Sequence, residues 1–289
     1  MSLGWIPGRR VAMYALAAVL QVQTGASRLM LAAVTDARGH SVVDVGADDF
    51  VVQEGTASRE ILSVRIADYP VLVLLDTRAS AEDFALMQRA ATHFVERLGN
   101  DRPVIAGAFG ATPIPLTRIE DERQTVLERL NALHPAERAT AADATGGGSN
   151  PSRLLAAASH AADTLRATGS LFSSIVVLSA NAEGNDAVTP ATVAPIVESG
   201  AIVHVIALQT PAGAPVSPAV RTIVNQTRGE LTPIYAAASY QAALDRLVDR
   251  LATEMLIEYL VPPGSKPIDA KVGIRLPGAR VRGLGVAPK

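Results

Sequence analysis

The run Val71-Leu72-Val73-Leu74-Leu75 constrains this chain more than any other feature. An unbroken apolar segment without polar alternation belongs to a strand covered on both faces, as inside a parallel sheet. It stops at Asp76, and a helical pattern opens a few residues later, with Phe84, Met87, Ala91, Phe94 and Leu98 near one face. A carboxylate at the carboxyl end of a central strand lies where open α/β sheets bind their ligands.

The rhythm continues from there. Strand-like pieces at Val104–Phe109, Ser174–Ser179, Ala201–Leu208 and Leu231–Tyr235 alternate with helical ones near 121–133, 151–168, 192–198, 218–227 and 239–257. Such alternation predicts an α/β fold, a doubly wound and mostly parallel sheet with helices on both faces. Pro113 and Pro115 cannot donate to a ladder, so the piece they frame is expected at an edge. Before Val71 the chain reads as short strands, among them Asp48–Val52 and Ile61–Ile66 with Gly55 between them at a hairpin turn. After Ile257 it returns to strands, and 270–276 and 279–282 flank Pro277-Gly278 like a hairpin. The expected division is a leader over 1–26, an N-terminal β region over 27–68, the α/β domain over 69–256, and C-terminal strands over 257–289 that pack with the N-terminal region.

Arg9 and Arg10 precede the apolar stretch Val11–Leu20, and small residues follow at Thr24, Gly25, Ala26 and Ser27. That is the layout of a secretory signal peptide cleaved near Ala26. The other reading is a buried N-terminal helix of the fold. Export to the periplasm, cell envelope or medium is the expectation. The mature chain is expected to lack a membrane span, since no second stretch is long enough for one.

Several chemistries find no support. The chain has no cysteine, which removes disulfides, thiolate metal sites and a cysteine nucleophile. A formal charge of −2 and 4% aromatic residues argue against a nucleic-acid partner. Gly146-Gly147-Gly148-Ser149 lacks the lysine of a phosphate loop. Neither a zinc-protease motif nor a nucleophile elbow is present. The histidines are scattered, and His204 sits inside an apolar strand, where packing is the ordinary role. Asp143, Glu183 and Asp186 are expected near the same sheet edge as Asp76, where solvated loop acids are commoner than catalytic pairs.

Four segments, in order, resemble a von Willebrand factor type A domain. Leu74-Leu75-Asp76-Thr77-Arg78-Ala79-Ser80 is similar to the first strand and its Asp-x-Ser-x-Ser motif, part of a metal-ion-dependent adhesion site. Gly146-Gly147-Gly148-Ser149 resembles the loop that carries a metal-binding threonine. Ile175-Val176-Val177-Leu178-Ser179-Ala180-Asn181 resembles the strand that ends in Thr-Asp-Gly. Gly229–Tyr235 with Ala242–Leu251 looks like the last strand and helix. The flanking strands resemble those of the bacterial, notably acidobacterial, VWFA-related exported proteins.

The resemblance implies a protein-binding or adhesion module without enzymatic activity. The family site would map onto Asp76, Arg78, Ser80, Ser149 and Asn181, with Asp76, Ser80 and Ser149 left as oxygen ligands for Mg²⁺ or Mn²⁺. Two positions depart from the pattern. Arg78 replaces a serine and Asn181 an aspartate, so the charge of Asp76 plus Arg78 is zero where two carboxylates would give minus two. An Asp76–Arg78 pair at ~4 Å is worth about 4 kcal/mol at an effective dielectric of roughly 20, before desolvation. Either the guanidinium takes the cation's place, leaving weak or no metal binding, or it turns outward from an inert pocket. An inward arginine would still suit a carboxylate on a protein partner. The other functional readings are a structural cell-envelope domain with a decayed adhesion site, and a divalent-metal-dependent binding domain.

Overall fold

A computed structural model of the chain describes residues 26–136, 150–183, 190–210, 213, 215–264 and 270–287. Strands β1 (Ala26–Thr35), β2 (Phe50–Glu54), β3 (Ala57–Arg59) and β4 (Ile61–Ile66) come first. The first half of the alternating stretch holds β5 (Val71–Asp76), α1 (Ala81–Arg97), β6 (Val104–Phe109), β7 (Pro113–Pro115) and α2 (Arg123–Asn131). Its second half holds α3 (Asn150–Ala167), β8 (Ser173–Ser179), α4 (Pro190–Glu198), β9 (Ala201–Leu208), α5 (Pro218–Gln226), β10 (Leu231–Ile234) and α6 (Ser239–Leu251). Strands β11 (Glu254–Val261), β12 (Ala270–Ile274) and β13 (Arg280–Val286) follow.

The central sheet has the order β10-β9-β8-β5-β6-β7. Its pairings are parallel except that between β6 and the proline-framed edge strand β7. Every residue of β5 is buried, which accounts for the unbroken apolar run. On one face Val71, Val73 and Leu75 pack with Phe84, Phe94, Leu244 and Leu251, so α1, α2 and α6 cover it. On the other, Leu72 and Leu74 pack with Leu154, Ala158, Ile196 and Ile223 from α3, α4 and α5. Alternate residues of one strand thus feed two cores.

Beside this domain lie two stacked antiparallel sheets, β13-β1-β11-β4 and β12-β2-β3. Met30, Ala32, Val34, Phe50, Val52, Ile257 and Tyr259 fill the space between them. The opposite face of the first sheet, with Leu31, Leu256 and Leu284, joins the core that contains α1 and α6. Strand β1 pairs with β11 over Ala26–Ala33 and with β13 over Met30–Thr35, which ties the N-terminal strands to the C-terminal ones.

Three sequence expectations are corrected. Segments 270–276 and 279–282 do not form a paired hairpin: β12 pairs with β2, whereas β13 pairs with β1 in the other layer. Each strand carries one apolar face, and stacking lets Val272 and Val281 reach the same core. The turn at Gly55 joins β2 to β3, not to β4, which crosses to β11. The last helix ends at Leu251 rather than near Ile257, because Glu254–Val261 is drawn into a ladder with β1 on one side and β4 on the other.

Candidate functional site

Asp76 is the last residue of β5 and is 0% exposed. The chain after it is fixed at once. Thr77 donates its N–H to the Phe109 carbonyl at 2.9 Å and its hydroxyl to the same oxygen at 3.1 Å. Ala136 N–H donates to the Thr77 carbonyl at 2.7 Å. Gly110 is required beside this turn, since a Cβ there would come within 2.7 Å of Thr77 Oγ1.

Within this frame Arg78 folds back onto Asp76. Its backbone N–H donates to Asp76 Oδ1 at 3.1 Å, Nε donates to the same oxygen at 3.2 Å, and Nη2 donates to Oδ2 at 3.3 Å. From the end of β8, Ala180 N–H donates to Oδ2 at 3.2 Å. Each oxygen of the carboxylate therefore accepts two N–H groups.

The other sequence-predicted residues are placed differently. Ser80 is the N-cap of α1: its hydroxyl accepts from Asp83 N–H at 3.1 Å and donates to Asp83 Oδ2 at 2.8 Å. That is an ordinary capping role, and the acids of the first turn suit the helix dipole. Asn181 closes a small turn, its Oδ1 accepting from Glu183 N–H at 2.8 Å. Glu183 reaches sideways to Thr210 N–H at 3.0 Å and pins the segment after β9. Ser149 lies outside the described residues, as do Asp143, Asp186 and residues 1–25 of the expected leader.

Sequence reasoning missed Tyr240. It is buried at the start of α6 and donates its hydroxyl to the Ser179 carbonyl at 2.8 Å. Burial first, then the charges of Asp76 and Asp83, hold its phenol well above the ordinary range. A tyrosine at a helix start carries no sequence signal that it reaches the end of a distant strand. Tyr235, just beyond β10 on the same edge of the sheet, is 64% exposed.

No protein-family model matches the chain, and no curated protein does. Similar solved structures exist. A von Willebrand factor type A protein from Catenulispora acidiphila aligns at 12% identity over 92% of this chain and 74% of its own, with a TM-score of 0.48. An aerotolerance-related membrane protein from Bacteroides fragilis aligns at 18% identity over 63% of this chain and 98% of its own, at 0.46. A mussel byssus matrix protein with a zinc-occupied adhesion motif aligns at 11% identity over 65% of this chain and 48% of its own, at 0.48. This chain is similar to them in fold. At such identities and scores none of them assigns a role to one of its residues.

Proposed function

We propose that this chain is a non-enzymatic, exported protein-binding module whose binding face is the carboxyl edge of the central sheet around Asp76. The observation that carries the reading is the closure of Arg78 on Asp76, which puts a guanidinium where the family pattern would put a cation.

Among the described residues the available donors do not fit a tightly held Mg²⁺ or Mn²⁺, which needs several free oxygen ligands in near-octahedral array. Both Asp76 oxygens are engaged by N–H groups. The Ser80 hydroxyl and the Asn181 carbonyl are engaged as well. Among the described residues no group of three or more His, Asp or Glu side chains is arranged to hold a metal. The same commitments argue against catalysis. Asp76 is paired, and Tyr240 keeps its proton while donating a hydrogen bond to a carbonyl, so among the described residues neither stands at this edge as a free general base. Protein recognition fits better, because the edge presents the exposed Tyr235, and aromatic side chains anchor interfaces. A partner carboxylate is the chemistry an arginine there recognises. Export follows from the basic, apolar and small-residue order of residues 9–27, with the α/β domain over 69–256 as the binding unit.

The test is a calorimetric and thermal-shift titration of the chain with Mg²⁺ and with Mn²⁺. No saturable heat is expected up to millimolar metal. Saturable binding that Asp76→Ala abolishes would reinstate metal-bridged recognition and sink the arginine-closed site.

A further inference from the structure

The face of β9 that packs beneath α6 reads Ile202, His204, Ile206, so an imidazole stands in an apolar row. His204 is 1% exposed, and neither ring nitrogen has a hydrogen-bond partner. It lines a cavity of about 620 Å³ bounded by β9, β10, α6 and the turn after β1 at Thr35 and His40. The cavity lies toward the amino ends of these strands, away from Asp76, and is independent of the reading above.

Its wall carries two arginines, Arg246 and Arg250, and two acids, Glu230 and Asp249. Arg250 donates from Nη1 to Glu230 at 2.6 Å, while its buried Nη2 has no partner. Arg246, one turn earlier on α6, lines the same space and makes no ion pair among the described residues. The acids on the wall are already taken: Glu230 by Arg250, and Asp249 by Arg97 at 2.6 Å. Terminal carbonyls of α6 are satisfied too, since the Thr253 hydroxyl donates to Asp249 and Arg250, and Arg102 donates to Leu251. Glu254 sits behind Arg250, 3.7 Å from its Nε, and is not on the wall. What remains, among the described residues, is a set of N–H donors on Arg250 Nη2, Arg246 and His204 that no wall acceptor meets; the unpartnered Oε1 of Glu254 faces Arg250 Nε from behind instead. Buried donors left unmatched are costly, and a bound group that accepts from them removes that cost.

We propose that this cavity binds a small molecule through an oxyanion, a carboxylate or a phosphate, held by Arg250 and Arg246 with His204 donating one ring N–H. The volume falls within the usual range for small-molecule pockets and exceeds what a bare ion needs. Burial, then Arg250 and Arg282, push the imidazole down to about 3, so at neutral pH it keeps a single N–H and one acceptor nitrogen.

The experiment titrates the whole chain at pH 7 and fixed ionic strength with inorganic phosphate and, separately, with citrate. Heat is read by calorimetry and the His204 ring nitrogens by ¹⁵N NMR. Saturable binding of one or both is expected, the stronger arm naming the oxyanion, with a shift of the His204 ring resonances. Arg246→Gln, at an exposed site that leaves the fold intact, should weaken it by about tenfold or more, the value of one charge-assisted bond. Asp76→Ala should leave it unchanged. Absence of saturable heat in both arms overturns the site. So does binding that Arg246→Gln leaves at full strength, or that leaves the His204 resonances unmoved, which would mean surface condensation or a water-filled cleft.

Discussion

Arg78 and Asp76, two residues apart at the end of β5, form a two-point pair in which Nε and Nη2 sit 3.2 and 3.3 Å from the two carboxylate oxygens. The geometry depends on how the backbone between them is held. Thr77 is fixed to Phe109, so the Arg78 side chain leaves the turn already beside the carboxylate. A buried carboxylate that loses its cationic partner is strongly disfavoured unless another cation replaces it. The double variant Arg78→Ser/Asn181→Asp therefore should acquire saturable Mg²⁺ or Mn²⁺ binding and a metal-dependent rise in Tm. A double variant whose Tm and heat ignore both metals would count against Asp76 as the centre of the site.

A second arginine–carboxylate pair staples the two accessory sheets. Arg28 of β1 pairs with Glu54 of β2, both buried, and Arg59 reaches the other Glu54 oxygen at 3.0 Å. Arg28→Met should cost about 3 kcal/mol in urea unfolding, because Glu54 keeps a buried charge with Arg59 as its one remaining cationic partner and only the Tyr259 hydroxyl beside it. Arg28→Met/Glu54→Leu should recover most of that loss. Equal stability of the single variant and the parent would show that the pair contributes nothing net.

His204 makes stability depend on pH. In the unfolded chain an imidazole takes a proton near 6.5, whereas in the folded protein burial first, then Arg250 and Arg282, push this to about 3. Between those values the unfolded state binds more protons, so stability present above 6.5 is lost as pH falls toward 3. Glu254, raised by burial, works the other way: its contribution is fullest in acid and is lost as pH rises. Glu230 also faces this region from its pair with Arg250. The clean readout is the difference between the parent and His204→Leu. The parent should lose up to about 1.4 kcal/mol more per pH unit between pH 6 and pH 4. Parallel pH profiles for the two proteins would refute the assignment.

Gly229 is required by a close backbone approach. A Cβ at this position would lie 1.8 Å from the Val203 carbonyl oxygen, a backbone atom that β9 holds in place. Gly229→Ala should therefore destabilise by about 3 kcal/mol or more, at the upper end of overpacking costs. Gly273→Ala, where the nearest atoms are 3.9 Å away, is the matched control and should be far milder. Equal Tm values for the two would overturn the steric argument.

The central sheet was legible in the sequence because its signals are local. Val71–Leu75 had to be covered on both faces, Pro113 and Pro115 had to lie at an edge, and helical periodicity marked the covering layers. The accessory strands were legible as strands but not as partners. Alternation shows which face of β12 or β13 is apolar and says nothing about which sheet receives it, so the apparent hairpin at Pro277-Gly278 misled. The same limit explains α6, whose apolar pattern runs on past Leu251 until pairing with β1 and β4 takes over.

At the candidate site the residue types were set by sequence. Asp76, Arg78 and Asn181 are given by the sequence, so the local charge was fixed before any folding. Which way Arg78 turns was decided only by tertiary structure, because Phe109 and Ala136 hold the backbone of Thr77 from distant parts of the chain. The surroundings of His204 were decided there too. A histidine in an apolar strand carries no information about the arginines of α6, which reach it only when the helix packs across the sheet. Sequence fixes which groups exist and their local periodicity. Tertiary packing decides which are desolvated together, and desolvation sets the strength of their charges and hydrogen bonds.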